Sequence, residues 1–160
     1  MKKVLGLIDK YFEEVILSCM MAYFVFATAL QVIARYVLAV SVPWAEETAR
    51  YVFIWMIFLG AAYAAKKGLH IKVDILENAM GKHGRIVKNV SSLLFLVFTL
   101  IMTYAGATIC SGMISKPQYS SVLKVPMVYI YAALPVGMLI TALRMVQRMW
   151  RDAGKGREAQ

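Results

Sequence analysis

Two histidines, His70 and His83, and two cysteines, Cys19 and Cys110, are the side chains from which metal or nucleophile chemistry could be built. Their spacing does not favour it. The histidines stand 13 residues apart with no cysteine near either, which is no zinc pattern. Both fall outside the apolar stretches, so neither suits an axial haem ligand inside a membrane. Cys19 and Cys110 belong to different apolar stretches and are expected to lie too far apart for a disulfide. Each reads as a small packing residue. The chain carries no glycine-rich phosphate loop, nucleophile elbow or paired acid and base. The reading is non-enzymatic, with no cofactor and no metal.

One dense polar cluster remains, from Gln31 to Asp74. Gln31 and Arg35 precede a short loop, after which the chain runs Pro43-Trp44-Ala45-Glu46-Glu47-Thr48-Ala49-Arg50-Tyr51. Glu46 and Arg50 stand at i, i+4 in the favourable acid-first order. Two glutamates in a first turn also suit the positive end of the helix dipole. Arg35 and the glutamates flank one loop between adjacent helices, so Arg35 or Arg50 is expected to pair with Glu46 or Glu47. A solvated N-terminal cap is the alternative. Further on, Gly60 with Ala64 and Ala61 with Ala65 form a small-residue face that lets another helix approach closely. That helix could belong to this chain or to a second subunit.

These residues must be positioned by apolar elements. Of the 160 residues, 61% are apolar, and mean hydropathy is +0.64, against about 45–50% apolar in a soluble domain. Stretches without Asp, Glu, Lys or Arg cover Val15–Ala34, Tyr51–Ala65, Asn89–Ser115 and Val125–Leu143. The first, third and fourth can each cross a hydrocarbon core of about 30 Å. The second has only 15 residues; it crosses if Arg50 and Lys66 snorkel to the two interfaces, and a re-entrant segment is the alternative. The expected spans are about 15–36, 46–67, 87–111 and 125–147. Pro126 suits a helix start, and Pro135 should bend the last span. Trp44 and Trp150 sit where interfacial rings belong.

The net charge of +9 could suggest nucleic acid, but its distribution fits orientation in a membrane. Fourteen of the basic residues fall in the N-terminus, the 66–88 segment and the C-terminus, and only Arg35, Arg50, Lys116 and Lys124 fall on the other side. The positive-inside rule therefore puts both termini in the cytoplasm. Asp9, Glu13 and Glu14 interrupt what would be the apolar core of a cleaved signal. Val4, Ile8, Tyr11, Phe12 and Val15 instead form a helical stripe, read as an interfacial helix over about 3–14. Ile71, Ile75, Leu76, Ala79 and Met80 form a second one over about 71–80. A polar tail follows at 151–160. The fold class is an all-α membrane protein with four transmembrane helices, cytoplasmic termini and short interfacial amphipathic helices.

Trp44-Ala45-Glu46-Glu47-Thr48-Ala49-Arg50-Tyr51, then Phe58-Leu59-Gly60-Ala61-Ala62, then Lys67-Gly68-Leu69-His70-Ile71-Lys72-Val73-Asp74, resembles the small membrane subunit of tripartite ATP-independent periplasmic (TRAP) transporters, the DctQ-like family. Leu123-Lys124-Val125-Pro126, Tyr131 and Pro135-Val136-Gly137 are similar to it as well, and the likeness covers essentially the whole chain. It implies a subunit of the bacterial inner membrane working with a large membrane subunit and a periplasmic substrate-binding protein. The large subunit would carry substrate and sodium and move as an elevator. The small one would be a static four-helix bundle for import of an organic acid such as a sialic acid or a dicarboxylate. On that resemblance, Gln31, Arg35, Trp44, Glu46, Glu47 and Arg50 organise the outer end of the first two spans. His70, Lys72 and Asp74 fix the entry to the second interfacial helix. Lys116 and Lys124 help meet the binding protein, and the cytoplasmic Lys and Arg touch anionic phospholipids.

Two other classes compete. An autonomous small four-helix transporter should carry a carboxylate inside the membrane, and none of the four stretches has one. A membrane anchor subunit unrelated to transport would share the topology but purify with different partners.

Overall fold

The computed structural model describes residues 2–67 and 84–155. Five helices account for nearly all of them: α1 (Lys2–Tyr36), α2 (Pro43–Lys67), α3 (Gly84–Ser115), α4 (Val128–Tyr131) and α5 (Ala133–Lys155). Four stretches are long and apolar enough to cross a membrane: Glu13–Tyr36, Pro43–Lys67, Val90–Ser115 and Val128–Trp150. The second is a continuous 25-residue helix, long enough to cross fully. Pro43 opens it, Glu46 lies in its first turn and Lys66 and Lys67 in its last, each matching the local sign of the helix dipole. At 35 residues, α1 is about 52 Å long, so it outruns a bilayer core. The segment over 3–14 is helical and joins the span without a break. The segment expected as a second interfacial helix lies outside the described residues.

The last span begins later than the sequence suggests and is divided. Pro126 belongs to the preceding loop, where it forms an isolated antiparallel bridge with Tyr119. The helix proper starts at Val128 and is interrupted at Ala132, between α4 and α5. Pro135 explains the site of the break. It has no N–H to give to the Tyr131 carbonyl one turn earlier, so the regular ladder stops there.

The four spans pack as an open row. α1 packs on α2, α2 on α5 and α5 on α3; among the described residues the backbone of α1 stays apart from those of α5 and α3, and Glu13 reaches Arg144 of α5 through side chains. The outer members of the row, α1 and α3, are the least buried. Lipid tails are as apolar as a protein core, so no hydrophobic gain forces such helices to close on themselves. Seams form where small residues allow close approach. Ala27 and Ala34 of α1, Ala49, Ala62 and Ala65 of α2 and Ala142 of α5 are all buried. A Cβ added at Gly137 would collide with the Phe58 Cβ, and one at Gly106 would lie 2.8 Å from the Pro135 Cδ. These two glycines set the spacing of α5 against α2 and of α3 against α5. Thr99 and Thr141 are fully buried, and their hydroxyls donate to the Leu96 and Gly137 carbonyls of their own helices, each at 2.8 Å.

Candidate functional site

The row has two polar ends. One end carries the 37–42 and 116–127 loops; the other carries the termini and residues 66 and 67.

At the two-loop end, neighbouring glutamates do different work. Successive helix residues point about 100° apart, so Glu46 and Glu47 face different partners. Glu46 faces outward: it accepts from Arg50 Nη2 at 3.0 Å and from Gln31 Nε2 at 3.3 Å. Arg50, not Arg35, is thus its cation; Arg35 is exposed and makes no ion pair among the described residues. Glu47 is 9% exposed and turns toward the 116–127 loop. Its Oε1 accepts from the Tyr51 hydroxyl at 2.6 Å and its Oε2 from the Leu123 backbone N–H at 2.8 Å. It therefore ties the second span to the loop before the fourth, and not to the first span. Beside it lies a cavity of about 510 Å³, with Arg50, Tyr51 and Ser121 among its polar lining and Ile54, Phe58 and Leu134 among its apolar lining. Trp55 adds a second tie, donating from Nε1 to the Tyr129 carbonyl at 3.2 Å. Trp44 is 46% exposed at the start of α2, and Lys116 and Lys124 are exposed on the second loop.

The termini end holds a cluster that sequence reasoning missed. Glu13 of α1 meets Lys66 of α2 at 3.1 Å and Arg144 of α5 at 2.6 Å. Glu14 meets Lys67 at 2.9 Å and accepts from the Tyr63 hydroxyl at 2.5 Å. Lys67 also lies 5.1 Å from the centre of the Tyr63 ring. The Glu13, Lys66 and Arg144 side chains are 23%, 19% and 20% exposed, so this is a partly desolvated network joining three helices. Its only sequence signal is a pair of acids at the same depth as a pair of lysines. His70, Lys72 and Asp74 lie outside the described residues.

Gly60 does not make a seam within the chain. A Cβ at Gly60 would meet nothing within 4 Å. Gly60 lines an open cleft between α1 and α2, beside Leu17, Ser18, Met21, Ala22 and Met56. Cys19 and Cys110 stand on α1 and α3, at opposite edges of the row, and both are free.

Four crossing helices, polar groups gathered at the two ends and small-residue seams define a multi-pass membrane subunit. The family model described as "Tripartite ATP-independent periplasmic transporters, DctQ component" matches residues 24–155. The chain belongs to this family, which is a transporter component and not an enzyme, and with its four apolar helices it is a multi-pass protein of the bacterial inner membrane. It is 28% identical over 151 residues to the isethionate TRAP transporter permease protein DctMQ of Oleidesulfovibrio alaskensis, covering 90% of this chain and 24% of that protein. It is 30% identical over 111 residues to the C4-dicarboxylate small permease protein DctQ of Rhodobacter capsulatus, covering 68% of this chain and 48% of that one. It is 24% identical over 152 residues to the sialic acid small permease protein SiaQ of Vibrio cholerae, covering 92% and 85%.

Proposed function

We propose that this chain is the static membrane subunit of a sodium-driven TRAP importer for an organic acid, a sialic acid or a dicarboxylate. The observation that carries the reading is where the polar groups sit. Each span lacks acidic, basic and histidine side chains through its middle, while ion pairs and hydrogen bonds tie the helices together at both ends. A part that stays still while another slides needs stiff ends and no ion relay. Relatives named for isethionate, C4-dicarboxylates and sialic acid share this subunit, which fits selectivity residing elsewhere in the assembly.

The termini end faces the cytoplasm in this reading, because the basic residues gather there. The two-loop end then faces the periplasm, where Lys116 and Lys124 meet a substrate-binding protein. Gln31, Arg35, Trp44, Glu46, Glu47 and Arg50 keep the outer end in register. His70, Lys72 and Asp74 fix the entry to an interfacial helix, and the cytoplasmic cations touch anionic phospholipids. The cleft at Gly60 receives a helix of the large membrane subunit, and Ala64 stands one turn further along α2. The cleft is open in this chain, with Gly60, Ala22 and Ser18 set among larger apolar side chains, and this chain spans only 24% of a relative named as a permease protein.

Reconstitution in liposomes tests the proposal. The chain together with its large subunit and binding protein should take up the organic acid on an inward sodium gradient, and the chain alone should move nothing. Uptake by the chain alone, or by the other two components at full rate without it, would overturn the reading.

A further inference from the structure

Lys124 has φ 54°, in the left-handed region that side chains with a Cβ disfavour. Two hydrogen bonds bracket it. On one side the Leu123 N–H donates to Glu47 Oε2 at 2.8 Å; on the other the Val125 N–H donates to Ser120 Oγ at 3.1 Å. Further back, the Ser120 N–H donates to the Val125 carbonyl at 2.9 Å and the Met127 N–H to the Gln118 carbonyl at 2.8 Å. Residues 118–127 thus form a narrow antiparallel turn, with the disfavoured Lys124 last in the loop, next to the closing Ser120–Val125 pair. Of the two bonds that bracket Lys124, one is local and the other comes from a carboxylate 76 positions away in sequence. Glu47 is almost buried, and its second oxygen is occupied by Tyr51. A buried carboxylate requires such partners, and a strained turn persists only where its surroundings over-determine it. Each supplies what the other needs.

We infer that Glu47 is a positioning residue: its carboxylate is the internal ligand around which the 118–127 turn folds, and it thereby fixes how Lys124, Val122 and Leu123 are presented to a soluble protein partner with an acidic surface. Val122 and Leu123 are 46% and 38% exposed. Lys116 and Lys124 make no ion pair among the described residues, which leaves their charge for a partner. The presentation half rests on the reading that this end faces the periplasm and meets the binding protein; the folding half does not.

The test uses the full chain with its large subunit in nanodiscs. Two quantities are read: hydrogen exchange at the Leu123 amide, and affinity for the binding protein. Glu47→Ala should speed exchange at Leu123 by about tenfold or more, as expected on losing a hydrogen bond to a charged group, and should weaken binding several-fold. Acetate supplies the one further carbon and the carboxylate that the variant lacks. It should restore protection in a dose-dependent way where chloride at equal ionic strength does not. Lys124→Gly keeps the left-handed backbone without strain and removes the side chain together with its ammonium, so it should leave Leu123 protected yet weaken binding. Unchanged exchange at Leu123 in Glu47→Ala would overturn the folding half. Faster exchange with unchanged binding would overturn the presentation half alone. If neutralising Lys116 and Lys124 together leaves binding unchanged while Glu47→Ala still frees the turn, the docking reading fails and the role of Glu47 stands.

Discussion

Carboxylates in this chain differ in worth according to their surroundings. Glu46 and Arg50 are 49% and 63% exposed, so their pair is screened and is worth about 0.2–1 kcal/mol at most. Glu13 is three-quarters buried between two cations on two other helices. Removing its charge takes away the carboxylate that Lys66 and Arg144 share. Glu13→Gln is therefore expected to destabilise the chain by about 1.5–3 kcal/mol, and Glu46→Gln by a fraction of that. Thermal unfolding of the two variants in one detergent checks the order, and adding Arg144→Gln to Glu13→Gln should recover part of the loss. The Glu46–Arg50 pair was legible in the sequence because i, i+4 spacing makes the partners neighbours. Arg144 lies 131 positions from Glu13 and Leu123 lies 76 from Glu47. No local rule connects residues that far apart, so both contacts were invisible.

At the scale of elements, the spans were legible because charge is excluded from a bilayer core, and the break at Ala132 follows from Pro135. The seams were not. A small residue can mean close approach within the chain, close approach to a partner, or neither, and the sequence offers no way to choose. The structure separates the cases. Gly137→Ala would press a methyl group against the Phe58 Cβ and backbone, and Gly106→Ala would press one against Pro135. Each is expected to cost about 1–3 kcal/mol through overpacking, seen as lower thermal stability of the isolated chain. Gly60→Ala meets nothing and should leave the isolated chain unchanged. If the large subunit fills the cleft, Gly60→Ala, or better Gly60→Leu, should reduce the fraction of the two-subunit assembly recovered on size-exclusion chromatography. Recovery equal to wild type with Gly60→Leu would place the large subunit elsewhere.

For the whole molecule, spatial order was the least legible property. In water the apolar stripe of a helix marks its buried face; in lipid every face is apolar, and that mark is lost. Orientation is a different matter, since the loop charges give an expectation for it. Reporter fusions after Lys155 and at Ser121 should show the first site cytoplasmic and the second periplasmic; the reverse result would invert the assignment of the two ends. The central claim is that this open row of helices stays rigid while another subunit moves, and distance measurement by pulsed electron resonance addresses it most directly. Spin labels at Val32 and Ile114, both exposed on the two edge helices, in a chain with Cys19 and Cys110 replaced, report the width of the row at one end. Three interhelical steps of about 8–10 Å put α1 and α3 on the order of 25 Å apart, against about 10–14 Å for helices in a closed bundle. In the assembled transporter the expected result is one narrow, long distance that does not change with sodium or substrate. A short distance, or one that shifts when sodium and substrate are added, would contradict the static row.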